Sequence, residues 1–219
     1  MPLPDFSKLD SHQRFEHQFP LYRTRIDIFE GRVKRYVSGK NSVTLQQLRY
    51  AFKDDKKWDD LNNDDSLLVQ VLKSEFFEDE TYKGELNIYA LILWGLLLCP
   101  GDNHMKARVL YDVLQDSLQE TISAGDKDFA GSFNKLIELA TKLVYRFEHE
   151  VEGNASAPKV SEEKIDEDLL EKIKESFLDE VFGSSSKMSR KDYMEAVASK
   201  QNWISSSKQV RDKVEKEIQ

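Results

Sequence analysis

The feature that most constrains this chain is a fourfold repetition of one pattern. Four times, an amphipathic helical segment is followed by a short polar stretch with one central apolar residue, and then by another helical segment. An internal repeat of this kind indicates one supersecondary unit that buries its apolar face only against its neighbours. We therefore predict an all-α chain of four helix–loop–helix units, whose central loop residues are Val43, Leu86, Ile122 and Met188.

Apolar residues recur at helical spacing between these loops. The first series advances in steps of four and three, which places its members on one face of an α-helix; it comprises Tyr22, Ile26, Phe29, Val33 and Tyr36. Similar series lie within 105–114, 133–147 and 170–181. The only strands we expect are short pairings between partnered loops, Val43 with Leu86 and Ile122 with Met188.

Turn-forming residues suggest how the chain is divided. The break Cys99-Pro100-Gly101-Asp102-Asn103 separates two predicted lobes, at 21–101 and 102–200. Residues 1–20 form an N-terminal extension, and 201–219 a C-terminal helix. A polar, charged stretch near 152–168 is predicted to be a flexible linker or an insertion within the second lobe.

Composition and charge exclude several classes of protein. A hydrophobic content of 39%, with 11% aromatic residues, is enough to fill a core, so disorder throughout is excluded. The formal charge of -8 would repel a phosphate backbone, which argues against nucleic acid as a partner. The apolar run Ile88–Cys99 is about a dozen residues, whereas a bilayer span needs roughly 20. We expect no membrane span, and Cys99 within this run is expected to be a buried core residue.

No pattern in the sequence points to catalysis. A phosphate-binding loop, a zinc-binding His-Glu-x-x-His, a nucleophile elbow and a Cys-x-x-Cys pair are all missing. The four histidines are scattered in polar contexts and are interpreted as surface residues. The first residues carry neither a signal-peptide pattern nor a glycine at position 2, so no lipid anchor and a cytoplasmic location are expected. We therefore expect a protein that is not an enzyme.

The segment from Gly84-Glu85-Leu86-Asn87-Ile88-Tyr89 to Tyr111-Asp112 resembles a known family. It is similar to the second exit helix, the short connector and the third entering helix of the calcineurin B and neuronal calcium sensor branch of the EF-hand superfamily. The opening Phe19-Pro20-Leu21-Tyr22 also fits that branch, and the likeness covers roughly Tyr22 to Lys200. The resemblance implies two lobes, each made of two EF-hand-like units.

The loop residues argue against calcium binding. A calcium-binding EF-hand needs oxygen ligands at loop positions 1, 3 and 5 and a bidentate glutamate at position 12. Placing the central apolar residue of each loop at position 8 gives four frames. Positions 1, 3, 5 and 12 are Tyr36, Ser38, Lys40 and Gln47 in the first loop and Asp79, Thr81, Lys83 and Ala90 in the second. They are Gln115, Ser117, Gln119 and Asp126 in the third loop and Val181, Gly183, Ser185 and Asp192 in the fourth. No frame has an acid at both ends, so we expect no cofactor and disfavour calcium. A rival frame begins at Asp126 and has Asp128 and Gly131 at positions 3 and 6, but Ile137 at position 12.

These observations predict a calcium-independent adaptor that binds an amphipathic helix of a partner protein. The apolar run exceeds what one helix stripe needs, and an apolar groove that receives a helix would cover the surplus. The predicted walls of this groove are Tyr50, Phe52, Trp94, Leu97 and Leu98. An alternative cover is the C-terminal segment, through Trp203, Ile204, Val210, Val214 and Ile218. The alternative functions are a calcium sensor and a structural component of a cytoskeletal or ciliary assembly.

Overall fold

The computed structural model describes residues 8–36, 40–115, 119–125, 127–152 and 165–218. Helices dominate these residues, as the sequence predicts. The α-helices are α1 (Ser11–Glu16), α2 (Ile26–Lys34), α3 (Leu45–Phe52), α4 (Leu67–Leu72), α5 (Ile88–Leu98), α6 (Asn103–Leu114), α7 (Lys127–Ala140), α8 (Lys142–Glu152), α9 (Glu167–Phe182), α10 (Arg190–Lys200) and α11 (Ser207–Ile218). Short 3-10 helices span Pro20–Arg23, Lys56–Asn62 and Asn202–Ser205.

Two antiparallel two-stranded sheets join the helix–loop–helix units in pairs. Strand β1 (Ser42–Val43) pairs with β2 (Leu86–Asn87), and Val43 lies opposite Leu86. Strand β3 (Thr121–Ser123) pairs with β4 (Lys187–Ser189), and Ile122 lies opposite Met188. Both predicted pairings are confirmed, residue for residue. We call α2 to α5 the first pair of units, and α6 to α10 the second pair.

The residue after each central apolar residue starts the next helix in three of the units. Thr44, Asn87 and Ser189 are the N-caps of α3, α5 and α10, and each side-chain oxygen accepts a backbone N–H from the first turn of its helix. Such caps satisfy donors that a helix start leaves free. Gly84 of the second loop has a φ of 79°, a left-handed conformation that glycine adopts without a steric penalty. The repeated turn from loop to helix is therefore stabilised by residues that are close together in the sequence.

Helix α5 lies at the centre of the molecule. Ten of its eleven residues are buried, and it packs against α2, α6 and α7. A Cβ added at Gly95 would overlap the ring of Phe29, so glycine permits the close approach of α2. The buried apolar side chains of both pairs belong to one continuous core. Cys99 is buried in this core, as predicted.

Both ends of the described chain contribute to the core. In the segment predicted to be an N-terminal extension, Phe15 and Phe19 are buried, and α1 packs against α8. Helix α11 packs against α7 and α9, with Val210 and Val214 fully buried. A buried ion pair between Arg211 and Glu16 joins the two termini, with Nη1 2.6 Å from Oε1.

The apolar series within 133–147 is divided between two helices. Helices α7 and α8 are separated by Thr141, whose hydroxyl donates to the carbonyl of Ile137. The predicted linker near 152–168 falls mostly on residues 153–164, outside the described residues. Beyond it, Ile165 is buried and Asp166 is the N-cap of α9. In the part of the chain that is described, no helix is both long enough and apolar enough to cross a membrane.

Candidate functional site

The first loop presents a lysine where a calcium loop would present an oxygen ligand. Lys40, at loop position 5, places its Nζ 2.6 Å from both carboxylate oxygens of Glu85 in the second loop. Ser42 donates to the same carboxylate. The hydrogen bonds from Lys40 and Ser42 lower the pKa of Glu85 below its ordinary value. A cation of the chain itself therefore bridges the first two loops.

The second loop is closed by its own hydrogen bonds. Asp79, at position 1, accepts the backbone N–H groups of Thr81 and Tyr82 at Oδ1, at 3.0 and 2.9 Å. The backbone N–H of Asp79 donates over 2.9 Å to the carbonyl of Glu85, at position 7. In a calcium-binding loop that carbonyl is a metal ligand. Here it already accepts a hydrogen bond, so the loop holds its shape through protein groups.

The loops of the second pair also use neutral or apolar groups at ligand positions. Gln115, at position 1 of the third loop, donates from Nε2 to the carbonyl of Thr121, at position 7, over 3.3 Å. In the fourth loop, position 1 is the buried Val181, and the carboxylate of Asp192 accepts from the hydroxyl of Ser189. Within the described residues, no three His, Cys, Asp or Glu side chains converge as metal ligands would.

The rival calcium frame does not form a loop. Residues 127–137, which would supply its positions 2 to 12, lie within α7. A helical backbone over these positions does not form the turn that a calcium-binding loop requires. Asp126 itself lies outside the described residues.

Four of the five residues predicted to form the partner groove are buried by the chain itself. Trp94, Leu97, Leu98 and Phe52 are each no more than 4% exposed. The ring of Trp94 contacts the rings of Phe19 and Phe77, with centroids 5.1 Å apart in both cases. The predicted groove is thus filled in this structure.

Tyr50 lies apart from the other predicted walls. It is 55% exposed, contacts Tyr36 edge to face, and carries the ammonium of Lys53 over its ring. Phe52, two residues later, points inward and stacks on Trp58. The structure therefore does not bring Tyr50 and Trp94 together in one groove.

An open cleft lies beside α5 instead. It measures about 1230 Å³ and is bordered by the second loop, the N-terminal half of α5, the C-terminal end of α6 and the middle of α7. Its apolar lining includes the exposed Tyr82 and Tyr89, together with Phe76, Leu93 and Val113. Charged residues also line it, among them Lys34, Glu78, Glu80, Asp112 and Lys135. A lining that mixes aromatic and aliphatic side chains with charged ones suits a protein segment.

The sequence contained only a weak signal for this cleft. Tyr89 is the one residue of α5 that is not buried, but α5 is apolar on every side, so periodicity could not single it out. Tyr82 is the one aromatic residue of a loop that is otherwise polar apart from its central Leu86, and that was the available signal.

The histidines are less exposed than the sequence suggests. Only His104 has a mostly exposed side chain, whereas His12 pairs with the buried Glu148 and His17 stacks on Tyr22. The side chain of His149 lies outside the described residues. The surface interpretation is therefore correct for His104 alone among the three that are described.

Burial also settles the chemistry of Cys99. Desolvation raises the pKa of its thiol well above the ordinary range, so the thiolate that acts as a nucleophile is not populated near neutral pH.

Comparison of the chain with models of known protein families, with curated proteins and with solved structures found no match.

Proposed function

We propose that this protein is a non-catalytic adaptor with two EF-hand-like lobes, which binds an amphipathic helix of a partner protein largely independently of calcium. The observation that carries the proposal is the bridge from Lys40 to Glu85 between the first two loops, with the internal hydrogen bonds of Asp79. A bound calcium ion would hold such loops in place in a sensor. Here protein groups do so, which leaves the units folded at any calcium concentration.

The partner helix would bind in the cleft beside α5. The originally predicted walls, such as Trp94 and Leu97, are covered by the chain, so they would be reached only by displacing core residues. Tyr82 and Tyr89 are exposed at 45% and 36% and need no rearrangement. Large aromatic side chains at a partly open surface are the residue type that most often anchors a partner. An amphipathic helix would place its apolar face on the floor and its polar residues at the charged border.

Calcium titration tests the first half of the proposal. Isothermal titration with calcium up to 100 µM, roughly tenfold above the weak end of the range for cytosolic sensors, is expected to give no saturable heat. Amide NMR spectra recorded with calcium and with chelator are expected to superimpose. Saturable binding with a conformational change would reject calcium independence and favour the calcium sensor.

Comparative affinity purification tests the second half. The full chain, the double variant Tyr82→Ala/Tyr89→Ala and the control Lys187→Ala/Lys191→Ala, at two exposed positions of the fourth unit, would each be used as bait, with calcium and with chelator. We expect a set of proteins that the chain and the control retain under both conditions and that the double variant loses. The lost proteins would then be tested as purified helical peptides. Equal recovery by all three baits would reject the cleft as the binding site.

A further inference from the structure

The first helix–loop–helix unit has a charge opposite to that of the whole protein. Residues 20–62, from the first 3-10 helix to the end of the second, contain ten Lys and Arg against six Asp and Glu, a formal charge of +4, in a chain whose total is -8. The rest of the chain therefore carries -12. A separation of this size makes the protein strongly dipolar and orients it as it approaches a charged partner.

One half of the basic surface lies where α2 ends beside α3. Arg35 is exposed at the end of α2. The next residue, Tyr36, contacts the ring of Tyr50, and Lys53 lies 4.1 Å from the centre of that ring. Ile28, which is 44% exposed, lies on the same face of α2, since it is seven residues before Arg35. Cations, an aliphatic side chain and an exposed aromatic ring thus share this surface.

The other half lies where the two 3-10 helices of this unit meet. Lys57 donates from Nζ to the backbone carbonyl of Arg23 over 3.1 Å, and Lys56 lies next to it. Arg32 of α2 pairs with Asp55 over 3.1 Å and so connects this half to the first. We call the exposed cations of both halves the basic face; they are Arg23, Arg35, Lys53, Lys56 and Lys57.

Three cations of this face form no ion pair with the described residues. Among the described residues, no carboxylate lies within ion-pairing distance of Arg23, Arg35 or Lys56, whereas most other cations of this unit have such a partner. Cations without a carboxylate partner in the described chain remain open to an anionic group of another molecule.

We propose that the basic face binds an extended acidic segment of a partner protein. The carboxylates of the segment would pair with the cations, and its apolar residues would contact Ile28 and Tyr50. The five cations of the basic face do not line the cleft beside α5, although the neighbouring Lys34 does, so the proposal does not depend on the proposed function.

Exposed carboxylates favour an extended segment over a membrane. Asp54, Asp59 and Asp60 are exposed among the lysines of the same unit. A flat anionic bilayer would press against these carboxylates as well as the cations, whereas a single chain can follow the cations and avoid them. Nucleic acid is disfavoured for the same reason, since its dense phosphates would meet the same aspartates.

The test is binding of a fluorescein-labelled peptide of ten glutamates to the full chain, measured by fluorescence anisotropy at 50 mM NaCl. We expect saturable binding that weakens as salt is added, because the contacts are exposed ion pairs. The variant Arg35→Ala/Lys53→Ala should raise the Kd about fivefold, the size expected for losing two exposed pairs. The control Lys187→Ala/Lys191→Ala removes the same charge from exposed positions of the fourth unit and should leave the Kd within about twofold.

Several results would overturn the proposal. One is no binding of the unmodified chain to the peptide at 50 mM NaCl. Another is an equal loss of affinity in the variant and the control, which would mean that the peptide responds only to overall charge. Tighter binding to vesicles containing 30% phosphatidylserine, or to a ten-nucleotide single strand, would assign the face to a different class of partner.

Discussion

The chain closes its core differently at its two ends. The first pair of units is covered by the ring of Phe19, which contacts Phe15 of α1 and Trp94 of α5, while α1 itself packs against α8 of the second pair. The second pair is covered by the C-terminal helix α11, which buries the aliphatic side chains Val210 and Val214.

This difference follows from the helices being covered. Helix α5 is apolar on all sides, so any part of its surface that the other helices do not contact must be shielded from water by another segment. A segment with large aromatic rings can do this because each ring buries a large apolar area. Helices α7 and α9 are amphipathic, so each has one apolar stripe to bury. The apolar face of another amphipathic helix, α11, can pack against those stripes. The surplus apolar surface that suggested a groove for a partner is therefore largely consumed by the chain itself.

The N-terminal segment and α11, which cover the core at its two ends, also contact each other. Arg211 of α11 forms its ion pair with Glu16 of α1, and the hydroxyl of Ser207 donates to the same carboxylate. Arg211 also donates to the carbonyl of Ala140, at the end of α7, over 3.0 Å. Buried ion pairs add little net stability, but they disfavour other arrangements because a lost partner leaves a buried charge. The ends of the chain are therefore coupled.

The largest expected effect comes from removing the second cover. Deletion of residues 202–219 exposes the faces of α7 and α9 and leaves Glu16 buried without Arg211. Each fully buried Val or Ile contributes about 1.5–3 kcal/mol, and an orphaned buried charge costs about 3–5 kcal/mol. We expect an insoluble protein or the loss of a cooperative urea transition, followed by circular dichroism.

The control for this deletion stays within α11. Lys208 and Asp212 form an exposed ion pair, and replacing both by alanine should change the unfolding free energy by less than about 1 kcal/mol. If the truncated chain unfolds cooperatively with an unchanged free energy of unfolding, α11 does not contribute to the stability of the core.

The next effect compares two tryptophans, one beneath the N-terminal segment and one within the C-terminal segment. Trp94→Ala should lower the free energy of unfolding by about 3–5 kcal/mol, because the side chain is 2% exposed and packed between two phenylalanines. Trp203→Ala, whose side chain is only partly buried against Phe177, should cost about half as much. Urea denaturation measures both. If Trp94→Ala leaves stability unchanged, Trp94 lies on an open surface and the groove prediction regains support.

The coupling between the covers can be measured with a double-mutant cycle. Arg211→Met alone leaves Glu16 buried and should cost about 3–5 kcal/mol. The double variant Glu16→Gln/Arg211→Met should cost less than the sum of the two single variants, by about 0.5–3 kcal/mol. Equal and additive costs in urea denaturation would contradict a direct interaction between the termini.

The smallest expected effect concerns the ion pair between Glu30 of α2 and Arg108 of α6, which joins the two pairs of units over 2.5 Å. Burial opposes ionisation of Glu30, but Arg108 and Lys34 outweigh it, so the pKa of Glu30 is below its ordinary value of 4.5. The stabilisation is therefore complete above about pH 4.5 and is lost as the pH falls through the lower folded-state pKa. Arg108→Met should cost about 1.5–3 kcal/mol at pH 7.

The pH dependence separates this ion pair from simple packing. The difference in unfolding free energy between the unmodified chain and Arg108→Met should shrink between pH 7 and pH 3. The exposed pair of Arg25 and Asp27 supplies the control, since Arg25→Met should cost less than about 1 kcal/mol at either pH. A difference for Arg108→Met that does not change with pH would assign its cost to lost side-chain packing.

The repeat was predictable to the level of single residues. Val43 and Leu86 are paired, as are Ile122 and Met188, because a loop with one apolar residue can bury it only beside its counterpart. The caps were equally local, since Thr44, Asn87 and Ser189 follow those residues directly. Such features can be predicted because they depend only on residues that are close together in the sequence.

The candidate site was much less predictable. The five proposed walls include four buried residues and one exposed residue, Tyr50, and the open cleft has a different lining. Helix α5 is apolar on every side, so no periodicity distinguishes the face that meets α7 from the one that meets Phe19. The pairing of Glu16 with Arg211 had only one signal, a charged residue within the apolar stripe of α11.

The sequence by itself determined the helices, the loop pairing and the lack of paired acids in the calcium-loop frames, because each depends on residues close together in the chain. Only the tertiary structure decided which segments cover α5 and α7, which apolar side chains remain exposed, and that the two termini meet through a buried ion pair. Those outcomes depend on which of several distant segments packs against the same apolar surface. The segment whose side chains fill that surface most closely in shape is the one that packs there.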